Sequence, residues 1–453
     1  MPKTPLIVAS MLALLLAGLY LIPTVTAPPP IERVVLIPLR PSEIASVEVG
    51  TDRLSYSTQV GGWVVELSDS ETVWPATENT VRGGLRLLAQ ASGELLEGES
   101  GPALAPELSV RVVARDGRSW TLEFVTPPLG GLAQLVVTPA SGEPVRAQTD
   151  AALFDALTGG LGGWLSPLAA PGPELRTGTL AMTNGTEALA FQRARRRWSV
   201  IVPIVTPADT ERVDRLMATI RGVRLAGVGP VRGLSNPDAL ASVEIITSLG
   251  VEGATRTVLD VVGQSTLTPD AVRVRSRIEQ LDPTGEVRST LGPIEGEAPA
   301  DALAALGLDA VEYLPRRSID AQAVPIATVE LRQPPPFDAA GPRLTADNLE
   351  PVYIRVGGAW TAQRGRAEAA APLVAMLTEL EADRMSIAPP EGFESKLLVR
   401  LGDDAGRPIG IAVVGVATVE DVRIATVQSG PVFRGYSGPA AETVLRLLDA
   451  LGG

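Results

Sequence analysis

Residues 179–220 read TLAMTNGTEALAFQRARRRWSVIVPIVTPADTERVDRLMATI, and the fold class follows from how this stretch changes period. TLAMT (179–183) and ALAFQRA (188–194) alternate apolar and polar side chains around Asn184-Gly185, the strongest short-range hairpin signal. A third strand follows at Trp198-Ser199-Val200-Ile201. The period then lengthens to that of a helix. Thr206-Pro207-Ala208-Asp209 offers an N-cap, a proline at the first helical position and an acid at the third. Val213, Leu216, Met217 and Ile220 share one face, and Gly222 is the stop.

The same layout recurs on both sides. Upstream are SVEVG (46–50), LSYSTQ (54–59) and Trp63-Val64-Val65, then Val81, Leu85 and Leu88 in helical phase after Thr77-Glu78-Asn79. Downstream are ATVEL (327–331), a proline-rich insertion from Gln333 to Glu350, VYIRV (352–356) and Trp360. A helix with Val374, Leu377 and Leu380 on one face comes next, after Ala369-Ala370-Ala371-Pro372. Each tryptophan precedes its helix's leading valine by 18, 15 and 14 residues in turn. A meander follows in every unit, its first hairpin turning at Arg115-Asp116-Gly117, at Glu252-Gly253 and at Asp403-Asp404-Ala405-Gly406. Its second turns at Ser141-Gly142, Pro283-Thr284-Gly285 and Ser429-Gly430. Closing helices are expected over Ala151–Leu157, Pro299–Leu306 and Pro439–Leu451. So many elements in one order point to triplication. The expected class is therefore α+β: three tandem repeats of antiparallel hairpins and meanders with short packing helices, after one N-terminal transmembrane helix. Its boundaries are 1–22 anchor or signal, 23–41 Pro-rich spacer, and repeat units at 42–165, 171–315 and 318–453.

The anchor expectation rests on Leu6–Ile22, 17 residues without a charge. At about 1.5 Å per residue this run reaches ~25 Å, just short of a hydrocarbon core of ~30 Å. Lys3 before it favours an internal amino end and an exported bulk. A cleaved signal is the competing reading, with Val25-Thr26-Ala27 before the cut, but Pro28-Pro29-Pro30 just after it disfavours cleavage. An internal core helix is the third alternative. The proline run would make a stiff extended spacer.

Composition narrows the chemistry. The 453 residues contain no cysteine and no histidine, carry a net charge of −13, and hold only two lysines, Lys3 and Lys396. Disulfides, thiolate nucleophiles, zinc sites built on Cys or His, and the Ser-His-Asp relay are excluded. The missing cysteine also excludes a lipoprotein lipobox. The acidic balance argues against nucleic acid as a partner.

The run Trp198-Ser199-Val200-Ile201-Val202-Pro203, followed by Pro207-Ala208-Asp209 and a Val213-x-x-Leu216 helix, resembles the bacterial domain-of-unknown-function family numbered 4340. The resemblance covers residues 42–453 in repeats. The first unit has Ala76-Thr77-Glu78-Asn79 in place of the Ala-Asp element, and the third has Ala369-Ala370-Ala371-Pro372. The resemblance implies a membrane-tethered exported protein associated with gliding-motility-type ABC transporter auxiliaries. It brings no catalytic residues with it.

Trp63, Trp198 and Trp360 read as core residues beneath the helices rather than ligand platforms. Asp116, Asp403 and Asp404 sit at hairpin tips beside glycines, so turn geometry explains them better than calcium. Arg193-Ala194-Arg195-Arg196-Arg197 reads as a hairpin loop of solvated arginines. Gly159-Gly160-Leu161-Gly162-Gly163 lacks the lysine and hydroxyl of a phosphate loop and reads as a flexible inter-unit linker. The sequon Asn184-Gly185-Thr186 is already explained by its turn. No catalytic, cofactor or metal residue is singled out. The functional expectation is a non-enzymatic bacterial inner-membrane protein, single-pass, with its bulk on the periplasmic side. It would bind or space a protein partner in the envelope as an auxiliary of an ABC-type transport system. A carboxylate-dependent envelope hydrolase is the alternative.

Overall fold

The computed structural model describes residues 33–452 except 59, 97–105, 130, 173–177, 232–238, 266–267, 305–306, 322–323, 334–350 and 363–369. The expected anchor Leu6–Ile22, the proline run and most of the Gln333–Glu350 insertion lie outside the described residues. Among the described residues no helix is long and apolar enough to cross a membrane.

The fold class is corrected. Strands take 51% of the residues and helices 20%, in three antiparallel sheets, so the protein is mostly β rather than the expected α+β. The sheets have ten, nine and eight strands. They are large because the two meanders of each unit, separated in sequence by a helix, join edge to edge. In the second sheet Leu180 faces Ile245 and Met182 faces Val243, so the first strand of one meander becomes the neighbour of the first strand of the other. The equivalent joins are Val47 to Val112 in the first sheet and Val329 to Leu401 in the third.

One strand order runs through all three. A leading meander of three strands, extended by a short fourth in the first two sheets (Thr72–Pro75 and Thr206–Pro207), enters the principal helix, and a short strand after that helix pairs with the last strand of the four-strand meander. That returning strand is Ser92–Leu95, Ala226–Pro230 or Arg384–Ser386. The chain divides into two compact units, 1–167 with the first sheet and 168–453 with the second and third.

The principal helices are Glu78–Ala89, Thr210–Gly222 and Ala370–Thr378. The first buries Val81, Leu85 and Leu88, the second Val213, Leu216, Met217 and Ile220, each a 3.6-period stripe against its sheet. The third buries Leu373, Met376 and Leu377, while Val374 is only half-buried and Leu380 falls past its end. The second helix starts later than its sequence suggests. Asp209 is the N-cap, accepting from Arg212 N at 3.2 Å, and Thr206-Pro207 instead pair with Val200 and Ser199 as a short strand. A proline can end an edge strand because the donor it lacks is not needed there.

The first core begins before residue 42. Arg33–Val35 is an edge strand on Ser92–Leu95, and Leu36, Ile37 and Leu39 are buried, so the end of the expected spacer belongs to the folded unit. In the Gly159–Gly163 stretch Gly159, Gly162 and Gly163 are themselves open, Gly159 and Gly163 being exposed, but the stretch carries and leads into packed residues. Leu161 is fully buried, Gly162–Trp164 forms a turn of 3₁₀ helix, and the Trp164 ring lies where a Cβ on Gly84 would otherwise sit. Small residues here permit close approach of a helix and a ring.

Candidate functional site

The segment Asp309–Ile326 joins the second sheet to the third and bonds to both. Its first half caps the second module: Tyr313 O accepts from Asp209 N at 2.7 Å, Glu312 O accepts from Arg212 Nη1 at 2.6 Å, and the Tyr313 ring stands edge-on to Phe191 at 5.1 Å. Its second half enters the third module. Ile319 N donates to Leu377 O at 2.8 Å, the Ser318 and Tyr436 hydroxyls are 2.7 Å apart, and Ile319 and Ile326 belong to the third core.

Between these anchorages lies a cavity of about 1110 Å³. Its walls come from the Trp198 strand and the start of the helix Thr210–Gly222 on one side, and from the helix Ala370–Thr378 and the Ser429–Pro431 turn on the other. A second hollow of about 540 Å³ shares Arg212 and Arg316 with it.

The charged groups around the cavity are unequally satisfied. Asp209 is spent on its cap and on Arg212, and Arg316 Nη1 donates to Ala382 O at 3.2 Å. Arg197 and Arg317 are exposed, and among the described residues their side chains have no hydrogen-bond or ion-pair partner. Arg434, on the strand Val432–Tyr436, is 3% exposed. Its Nε donates to Pro315 O at 3.0 Å, and its Nη1 is buried with no partner. Burial pushes the Arg434 pKa below its ordinary value, with no carboxylate opposing the shift. Burial likewise raises the Tyr436 phenol, so that hydroxyl stays neutral beside Ser318.

The residues marked out from sequence fare differently. Trp198 is fully buried, its Nε1 donating to Asp214 Oδ1 at 2.8 Å with the Arg193 guanidinium over the ring. Trp63 is only half-buried, edge-on to Tyr56, and Trp360 is half-buried beneath Arg355. The core tryptophans of the first module are instead Trp74, Trp120 and Trp164. Asp116 accepts from Arg118 N and Nε, and both contacts hold its carboxyl below the usual range. Asp403 is buried and accepts from Ala405 N, Arg407 N and Arg407 Nε at 2.7–3.0 Å. Its oxygens are thus spent on its own turn, while Asp404 is exposed. Among the described residues no three acids converge as a metal cluster would require. Arg195 and Arg196 are exposed at a hairpin tip, Arg195 with φ of 57°, but Arg193 pairs with Asp214 at 3.3 Å. Asn184 pairs with Glu187, which puts Gly185 and Thr186 in the two-residue loop.

The chain matches no family model, no curated protein and no solved structure. Sequence reasoning missed Arg434 altogether. The one available signal was an arginine inside the apolar run Pro431-Val432-Phe433-Arg434-Gly435-Tyr436, where alternation would place its side chain with Val432 and Tyr436.

Proposed function

We propose that this chain is a non-enzymatic protein of the bacterial envelope, held at the inner membrane by Leu6–Ile22, whose three β-sheet modules bind or space a protein partner. Within that reading, the resemblance carried by Trp198–Pro203 and Pro207–Leu216 favours an auxiliary role beside an ABC-type transporter. The observation that supports it best is the single strand order repeated in three sheets. Repetition multiplies similar surface, as in arrays whose work is recognition, whereas a reaction centre is needed once. The net charge of −13 keeps such a surface off anionic headgroups and free for a protein neighbour.

The test is fractionation of the full chain in its native host with protease added from the periplasmic side, followed by cross-linking. The chain should pellet with membranes, resist salt extraction, be cut from outside, and form one discrete protein adduct lost when residues 171–315 are deleted. Recovery in the cytoplasmic fraction would overturn the localisation. A single Asp or Glu substitution that abolishes cellular function while folding and location are unchanged would overturn the non-enzymatic reading in favour of a hydrolase.

A further inference from the structure

An arginine cannot shed its proton in a protein, so Arg434 is a permanent cation even where burial lowers its pKa. Burying a charge without a counter-charge is strongly unfavourable. Two other arginines on these sheets are answered by carboxylates. Arg400 on the third sheet faces Glu330 at 3.2 Å, and Arg277 on the second meets Asp260 at 2.7 Å and Glu279 at 2.9 Å. Arg434 alone in this comparison has a carbonyl for its only acceptor, Pro315 O, and it lines the large cavity.

We propose that the cavity between the second and third modules binds a small organic anion, whose carboxylate or phosphate group supplies the counter-charge that Arg434 lacks. The site does not depend on the envelope reading above. About 1110 Å³ lies just above the common range of ligand cavities, ~300–1,000 Å³. Val324, Ile326 and Pro431 in its wall accept an apolar body. The side chains of Arg197 and Arg317, without a partner among the described residues, add positive potential to the same cavity. Asp209, Glu211, Asp320, Glu379 and Glu381 line it too, nearly as many acids as arginines, and their charge disfavours a polyanion while leaving room for a ligand with one or two negative charges. Arg434 Nη1 has no surface open to a ligand, so the anion offsets its charge across the cavity wall, where low dielectric strengthens the attraction relative to water.

The full chain in nonionic detergent is titrated calorimetrically with benzoate, phenyl phosphate and inorganic phosphate at constant ionic strength, with benzyl alcohol as the neutral control. Saturable binding of benzoate or phenyl phosphate is expected, the tighter of the two naming the head group, with none for benzyl alcohol. Binding of inorganic phosphate as tight as phenyl phosphate would show that the apolar wall plays no part and overturn the organic ligand. Arg434→Met should weaken binding at least ~10-fold and leave the melting temperature of the unliganded protein unchanged or higher, because an uncompensated charge is replaced by an apolar group of similar length. Arg317→Gln should weaken it by about 2- to 5-fold through the lost potential. The proposal is overturned if wild type binds none of the anions at ~10 mM, a millimolar affinity being the weakest that would matter. It is equally overturned if folded Arg434→Met binds like wild type. Should that variant not fold, Arg317→Gln decides, and unchanged affinity there overturns the proposal.

Discussion

Trp63 and Trp198 hold the same place in two sheets of one strand order, the second residue of the third strand, and on the same face as the core. Only Trp198 is covered. In the second module Asp214 on the helix Thr210–Gly222 takes the indole hydrogen, Phe191 stands edge-on at 6.5 Å, and Tyr313 from the connecting segment packs on Phe191. In the first module the helix Glu78–Ala89 instead meets Trp164 over Gly84, and Trp74 on the next strand is the fully buried ring, its Nε1 donating to Ser166 O at 3.2 Å. Among the described residues Trp63 keeps only Tyr56 as a ring neighbour, at 6.0 Å. Strand position sets which way a side chain points. Cover comes from elements that arrive from elsewhere in the chain.

The largest effect expected from this contrast is Trp198→Ala, a loss of about 3–5 kcal/mol in the stability of the second module, the usual range for deleting a buried aromatic. Denaturant unfolding of the full chain would show it, and an unchanged transition would return Trp198 to the surface. Next is Gly84→Ala. Helix propensity alone would favour it by about 1 kcal/mol, but the new Cβ overlaps the Trp164 ring. The overlap wins, and a net loss of about 1–3 kcal/mol is expected, as for overpacked cores. Asp214→Ala should cost about 1–2 kcal/mol by leaving the Trp198 indole hydrogen without its acceptor. Trp63→Ala should cost under about 1 kcal/mol. A loss there equal to that of Trp198→Ala would break the comparison.

The smallest effect is a matter of pH. The backbone and guanidinium hydrogens of Arg407 outweigh burial and hold the Asp403 carboxyl below its ordinary 3.8. A depressed carboxylate pKa stabilises the fold fully above the unfolded value, and that contribution disappears as pH falls through the folded one. The melting-temperature gap between wild type and Asp403→Ala should therefore be widest at neutral pH and narrow below pH ~3.8.

Much of the local structure was legible. Turn chemistry located the hairpins at Arg115–Gly117 and Pro283–Gly285, where Gly117 and Gly285 do take positive φ. Apolar period located the faces of the first two principal helices to the residue. Other features were not legible for a definite reason. The edge strand Arg33–Val35 is only three residues, too short to show alternation, and its partner Ser92–Leu95 lies beyond a whole meander and a helix. The glycine run at 159–163 looks like a linker because most of its glycines are open, whereas the burial of Leu161 and the seating of Trp164 on Gly84 depend on a helix far upstream. Thr206-Pro207 carries the marks of a helix start, yet the pairing with Ser199 and Val200 claims it, and Asp209 caps instead.

By itself the sequence determined the repeat, the faces of its strands and helices, and the chemistries it excludes, because these depend on residue types and on spacings within a turn or two. The tertiary structure decided which strands stand side by side, and so turned pairs of meanders into sheets of eight to ten strands. It also decided which charges have partners. Arg434 meets Pro315 across 119 positions, and Tyr436 meets Ser318 across 118. No local pattern encodes such contacts, since their energy is realised only when distant segments have already been brought together and water has been excluded between them.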